Sequence, residues 1–307
     1  MGNRKDRPAV SIAHSLLPSF DINGRKMEIV HTVRDMQIES DIVRKVGKSI
    51  GFVPTMGYLH EGHLSLIRLA WEKADVVVVS IFVNPTQFGP EEDLDKYPRD
   101  FGRDEKSASE AGADIIFYPS VEEMYPDGYA TYVTVDRLTE TLCGASRPGH
   151  FQGVTTVCMK LFHAVKPDFA VFGQKDAQQA AVIRRMVKDL NLDLEVVTGP
   201  IVREADGLAM SSRNTYLSAE ERGDALSLHQ SLELSEEMIR KGERNPTAII
   251  EVIRETIDAK EKTRIDYIEI VHPETMQPLA KIEDEALIAL AVFAGKTRLI
   301  DNTVVRV

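Results

Sequence analysis

The run Val76-Val77-Val78-Val79-Ser80-Ile81-Phe82-Val83 constrains this chain more than any other feature. β-Branched residues pointing to both sides of a strand fit where both faces of the sheet are covered, as for a central strand of a parallel sheet. Shorter apolar segments of the same kind lie at residues 49–53, 115–118 and 169–172. Helical spacing separates them, most plainly where Val154, Val157, Leu161 and Val165 form one stripe. Strand and helix alternate from residue 49 to about 197, which implies a parallel sheet with right-handed crossovers. Ligands of such sheets bind beyond the carboxyl ends of the strands.

The pattern changes after about residue 201. Residues 219–241 and 246–260 read as two charge-rich helices, and 267–271, 287–293 and 298–300 as strands. The expected organisation is a Rossmann-like α/β domain over residues 27–201 and a smaller α+β lid domain over 202–307. Residues 1–26 read as a weakly structured extension, or as the result of a start codon placed too early. Arg4, Lys5 and Arg7 precede an apolar stretch that His14 interrupts and Pro18 closes, too short for a secretory signal. From Met27 the text becomes amphipathic, with Ile29, Val33, Met36, Ile42 and Val46 as its apolar positions.

Composition narrows the function classes. A net charge of −11 argues against a nucleic-acid partner, which calls for a basic face. A run of about 18 apolar residues, the minimum for a membrane span, is missing from the sequence. The two cysteines, Cys143 and Cys158, fit a reducing cytoplasm better than a disulfide framework.

The chemistry concentrates in Val53-Pro54-Thr55-Met56-Gly57-Tyr58-Leu59-His60-Glu61-Gly62-His63, where a strand gives way to a helix. Free N–H groups and a positive dipole end at such a turn suit a phosphate. Gly57 and Gly62 let the main chain approach a ligand, and His60 and His63 share one helix face. Taken alone, a His-x-x-His pair is as compatible with surface decoration. Zinc fits less well, because the spacing is not the i, i+4 of a metalloprotease helix and no cysteine lies near.

Three further polar loops fall at the same rim. Asn84 and Gln87, separated by Pro85, follow the 76–83 strand and suit hydroxyl and carboxylate groups. Gly173, Gln174, Lys175, Asp176 and Gln179 follow the 169–172 strand, with Lys175 as a point charge for a phosphate oxygen. Met210, Ser211, Ser212 and Arg213 sit at the expected domain boundary and offer hydroxyls and a guanidinium. Arg147 and His150 add a cation and an imidazole. Each loop alone is equally readable as a turn or a helix start; four of them on one rim point to a ligand site.

Together these motifs resemble the pantoate–β-alanine ligase family of the nucleotidyltransferase superfamily. The resemblance runs from about Met27 to the C-terminus and includes Tyr97-Pro98-Arg99 and Ser146-Arg147-Pro148-Gly149-His150-Phe151. It implies that pantoate is adenylated by ATP and the acyl group is then passed to β-alanine. It places ATP against Met56, Gly57, Tyr58, Leu59, His60, Glu61, Gly62 and His63, and against Gly173, Gln174, Lys175, Asp176, Val202, Met210, Ser211, Ser212 and Arg213. It makes His63 the proton donor, with His60, Lys175 and Arg213 as the other catalytic groups. Gln87 and Gln179 would hold pantoate, with Asn84 on the same side and Gln87 also near β-alanine. Magnesium would accompany the ATP phosphates, with protein ligands unassigned, and the family resemblance implies a cytoplasmic homodimer. The Met210–Asn214 loop is the expected hinge. The competing readings are nucleotidyl transfer to a phosphorylated acceptor, a tRNA-binding module, and a non-catalytic nucleotide binder. The amides at the acceptor side, the acidic balance and the retained histidines speak against these in turn.

Overall fold

The computed structural model describes residues 27–90 and 92–307, so the extension expected over residues 1–26 lies outside the described residues. Six parallel strands form the larger sheet: β1 (Glu28–Val30), β2 (Ile50–Thr55), β3 (Val76–Ile81), β4 (Ile115–Phe117), β5 (Phe169–Gly173) and β6 (Glu195–Gly199). Their order is β1-β4-β3-β2-β5-β6. Between them run α1 (Val33–Lys45), α2 (Glu61–Lys73), α3 (Phe101–Ala111), the short α4 (Val121–Met124) and α5 (Leu142–Ser146), α6 (His150–Val165) and α7 (Ala177–Asp189).

Strand β3 behaves as its sequence demands. Val76 and Val78 belong to the apolar layer that also holds Met36 and Val43 of α1, Leu161 of α6 and Met186 of α7. Val77, Val79 and Ile81 pack on the other face with Leu66, Ile67 and Ala70 of α2 and Ala108 of α3. The two-residue period of a strand therefore feeds two separate apolar layers. Phe52 of β2 meets Phe162 of α6 edge to face, with centroids 6.3 Å apart.

Chain direction sets the position of the site. From β2 the chain steps to β3 and β4 on one side, whereas β5 and β6 lie on the other. The order reverses beside β2, and a crevice opens there at the strands' carboxyl ends.

The smaller sheet is antiparallel, β7 (Thr263–Val271), β8 (Glu285–Ala294) and β9 (Thr297–Arg306), with α8 (Ala219–Ala225), α9 (Ser227–Arg240) and α10 (Pro246–Asp258). Pro246 opens α10 behind Asn245, whose side chain accepts the Thr247 N–H at 3.0 Å. Ile249, Ile253 and Ile257 recur every fourth residue and pack against Ile268, Ile270 and Leu290.

Boundaries differ from the sequence expectation for local reasons. Residues 28–30 pair with β4 as a strand, and the amphipathic stripe starts only in α1, where Met36 and Val43 are buried and Val46 is exposed. Strand β3 stops at Ile81, because Asn84 caps the turn that follows. The expected 219–241 helix divides at Leu226, next to Asp224, which accepts from both the Ser227 hydroxyl and the Lys262 N–H. Strand β9 runs the full length of β8 and carries the polar Asp301 and Asn302, which hid it from a hydrophobic pattern.

Candidate active site

The site is built on the β2–α2 turn. Thr55 donates to the Ser80 carbonyl at 2.7 Å and accepts the Gly57 N–H at 3.2 Å. Gly57 (φ +85°) and Tyr58 (φ +50°) are both left-handed, and a Cβ on Gly57 would lie 2.9 Å from Asp104 Oδ2. Asp104 of α3, 1% exposed, holds this strained pair by accepting the Tyr58 and Leu59 N–H groups, each at 2.6 Å. Arg103 donates to the Leu59 carbonyl at 3.2 Å and lies over the Tyr58 ring. Neither α3 residue carried a sequence signal, because a lone Asp in an amphipathic helix reads as surface.

His60 caps α2, and its backbone N–H donates to His63 Nδ1 at 3.3 Å. The two rings lie 4.0 Å apart at 37°. With Nδ1 accepting, a neutral His63 carries its proton on Nε2. Burial, then His63 and Lys175, push the His60 pKa from 6.5 down to about 2. Burial followed by Lys175 brings His63 to about 4. Both imidazoles are thus neutral at pH 7 in the free protein. His60 Nδ1 is buried and has no hydrogen-bond partner among the described residues. Gly62 also makes room for the capping imidazole, since a Cβ there would stand 2.9 Å from the His60 ring.

At the end of β3 the Asn84 amide donates to Gln87 Oε1 and the Gly153 carbonyl, each at 3.1 Å, and accepts from the Tyr125 hydroxyl at 2.8 Å. Asn84 borders the crevice with its amide engaged by the protein, and it orients Gln87, whose Nε2 lies 3.2 Å from Met56 Sδ. Behind Gln87, His150 Nδ1 is 2.9 Å from the Gln87 carbonyl, and Arg147 reaches both that carbonyl and His150 Nε2. Burial, with Arg147 adding to it, brings the His150 pKa to about 4, so this imidazole is neutral too.

At the end of β5, the Gln174–Lys175 turn is gripped from the smaller sheet. Asn302 of β9 donates to the Gln174 and Lys175 carbonyls at 3.0 and 2.9 Å and accepts from the Gln174 amide at 3.0 Å. The neighbouring Asp301, 2% exposed, takes Arg203 in a two-pronged ion pair. The Met210–Asn214 loop closes the crevice, with Ser212 donating to the Tyr58 carbonyl at 3.3 Å.

One cavity of about 230 Å³ gathers most of the expected site residues. Met56, His60, Gly62 and His63 line it from β2–α2, and Asn84 and Gln87 from β3. Gly173, Lys175, Asp176 and Gln179 come from β5–α7, and Val202, Met210, Ser211, Ser212 and Arg213 from the linking loop. Gly57, Tyr58, Leu59, Glu61 and Gln174 are not in its wall: Leu59 is buried, Glu61 pairs with Arg68 outside, and Tyr58 borders a neighbouring hollow. Asp176 is the carboxylate in the wall, and no three His, Cys, Asp or Glu side chains converge as a metal cage among the described residues. Cys158 also touches the cavity, but burial pushes its thiol up to about 12, which leaves it inert. No helix among the described residues is long and apolar enough to cross a membrane.

Similarity to known proteins agrees with this geometry. The pantoate-beta-alanine ligase family model matches residues 28–304. The pantothenate synthetase of Caldicellulosiruptor bescii is 59% identical over 279 residues, covering 91% of this chain and 99% of that protein. The pantothenate synthetase of Thermus thermophilus superposes with a TM-score of 0.85 at 47% identity, covering 90% of this chain and 99% of the other. The pantoate-beta-alanine ligase of Francisella tularensis, complexed with beta-gamma ATP and beta-alanine, gives 0.75 at 34% identity, with coverages of 91% and 97%. The chain belongs to the pantoate–β-alanine ligase family.

Proposed function

We propose that this ligase condenses pantoate with β-alanine at the expense of ATP, by way of a pantoyl adenylate. The observation that carries the reading is that one cavity gathers two chemistries. His60, His63, Lys175 and Arg213 offer it donors and positive charge, and the Gln87 and Gln179 amides offer it groups suited to a small hydroxy acid. The Francisella relative's complex with beta-gamma ATP and beta-alanine supports the same assignment of substrates.

In the first step a pantoate carboxylate oxygen attacks the α-phosphorus, the bond to the β-phosphate oxygen breaks, and pyrophosphate leaves. Two anions must meet, so donors are required where charge gathers. His63, neutral with its proton on Nε2, donates to a phosphate oxygen without the mutual repulsion that Lys175 would impose on an imidazolium. Arrival of the triphosphate raises the basicity of both histidines, which readies His63 to protonate the departing group. In the second step the β-alanine amine attacks the acyl carbon, AMP leaves with the bridging oxygen, and the amine loses a proton.

Magnesium fits this site as an ion brought on the triphosphate. The wall offers the single carboxylate of Asp176 rather than a cage, and magnesium retains water and phosphate oxygens readily. Bound there, it would neutralise phosphate charge. The proposed unit division remains 27–201 and 202–307, with the 210–214 loop as the hinge, in a cytoplasmic homodimer. The test is to mix protein, ATP, magnesium and D-pantoate without β-alanine. Pyrophosphate and pantoyl adenylate are expected, with conversion to pantothenate and AMP once β-alanine is added. A folded, ATP-binding protein that releases no pyrophosphate would refute the reading.

A further inference from the structure

The two arginines that flank the cavity are each held from behind by one of two adjacent acidic residues. Glu92 takes Arg147 Nε at 2.7 Å and Nη2 at 2.6 Å. Asp93 takes Arg213 Nε at 2.9 Å and Nη2 at 2.8 Å. Both arginines line the cavity, whereas neither carboxylate does. Burial alone would lift these carboxyl groups, yet the paired guanidinium holds each below the ordinary carboxylate range. Glu92 and Asp93 therefore stay ionised.

The two arginines are left with different capacities. A guanidinium has five N–H donors. Arg147 uses its donors on Glu92, the Gln87 carbonyl and His150 Nε2, so it has little left for a ligand and acts on the main chain that carries Gln87. Arg213 uses one edge on Asp93, and its Nη1 makes no hydrogen bond among the described residues. That free edge is the one a phosphate can take two-pronged.

We infer that Glu92 and Asp93 are positioning residues that serve opposite halves of the site: Glu92, through Arg147, sets Gln87 for the carboxylic-acid substrate, and Asp93, through Arg213, sets the polyphosphate grip. The inference rests on the substrate assignment proposed above. A shared role in holding the loop would make the two residues interchangeable; two separate relays make them separable.

Steady-state kinetics of Glu92→Gln and Asp93→Asn decide between these. Each exchange keeps the shape and removes the charge. Asp93→Asn is expected to raise the KM for ATP about tenfold while leaving that for pantoate within about twofold. Glu92→Gln is expected to do the converse. If both variants shift the two KM values together, or shift neither, the inference falls. Calorimetric titration with inorganic pyrophosphate, which needs no turnover, should show weaker binding to Asp93→Asn and unchanged binding to Glu92→Gln. Unchanged or tighter binding to Asp93→Asn would overturn the polyphosphate relay. Asp93→Glu, which restores the charge, should recover part of the loss if the first variant folds poorly, and no recovery in the folded variant counts against the relay. Wild-type protein that binds pyrophosphate but forms no pantothenate would refute the substrate assignment instead.

Discussion

The two sheets serve the cavity in different ways. The parallel sheet supplies its ligand-facing groups at strand ends, where the chain departs from its easiest conformations: Gly57 and Tyr58 are left-handed, and His60 Nδ1 is buried without a partner among the described residues. The antiparallel sheet packs on α10 through an apolar layer, from Ile253 and Ile257 of the helix to Ile288 and Leu290 of β8. Its polar groups are engaged: at β9 Asn302 and Asp301 grip the Lys175 turn and Arg203, and at β7 Asp266 pairs with Arg298. Strain and unmet hydrogen bonds cost free energy that a packed core must offset. The labour is divided: one sheet presents the chemistry and the other holds it still.

Substitutions can break that division in a graded way. Ile253→Ala, at a fully buried position in α10, should lower stability by about 2–5 kcal/mol, measured by urea unfolding. The folded fraction should keep normal KM values; a changed KM would mean that the smaller core tunes the site directly. His63→Ala should do the reverse, cutting adenylate formation by about 100- to 1000-fold with little loss of stability. Near-normal turnover from that variant would remove His63 from the mechanism. Asn302→Ala tests the joint between the sheets. It should raise the KM for ATP by about tenfold through a loosened Lys175 turn, with a smaller effect on melting. An effect confined to melting would make Asn302 purely structural.

The pH dependence of stability tests the same contrast. His63 and His150 are held near 4 in the folded protein, below their ordinary 6.5. As pH falls, the unfolded chain takes up protons first. Their contribution to stability is therefore complete above pH 6.5 and is lost progressively toward pH 4. The melting temperature of the free protein should fall across that window, and His150→Gln should flatten the slope. A melting temperature independent of pH between 6.5 and 4 would show that these imidazoles are not buried as neutral groups.

Much of this was legible in the sequence, for reasons that can be named. The 76–83 run announced a doubly covered strand because each face needed an apolar layer, and α2 and α6 supplied those layers. His60, His63, Lys175, Gln87 and Arg213 were legible because strand ends of a parallel sheet converge, so that loops far apart in sequence meet on one rim. Asp104, Asn302, Glu92 and Asp93 were not. Each acts on backbone or on another side chain across a distance in sequence that periodicity does not encode. Asp104 is one of three acids on α3, with nothing in its spacing to set it apart from Glu105 and Glu110, and Asn302 interrupts the alternation expected of a strand. Tyr58 and Glu61 share a motif with His60 and His63 but lie outside the cavity wall, Tyr58 bordering a neighbouring hollow.

The central claim is that acyl activation proceeds through adenylate, and the most direct measurement follows one atom. Pantoate labelled with heavy oxygen in its carboxylate is incubated with ATP, magnesium, β-alanine and the enzyme, and the nucleotide product is analysed by mass spectrometry. Attack on the α-phosphorus followed by transfer to β-alanine leaves a labelled oxygen in AMP. Label in inorganic phosphate with ADP as the nucleotide product would instead show an acyl phosphate and contradict the account.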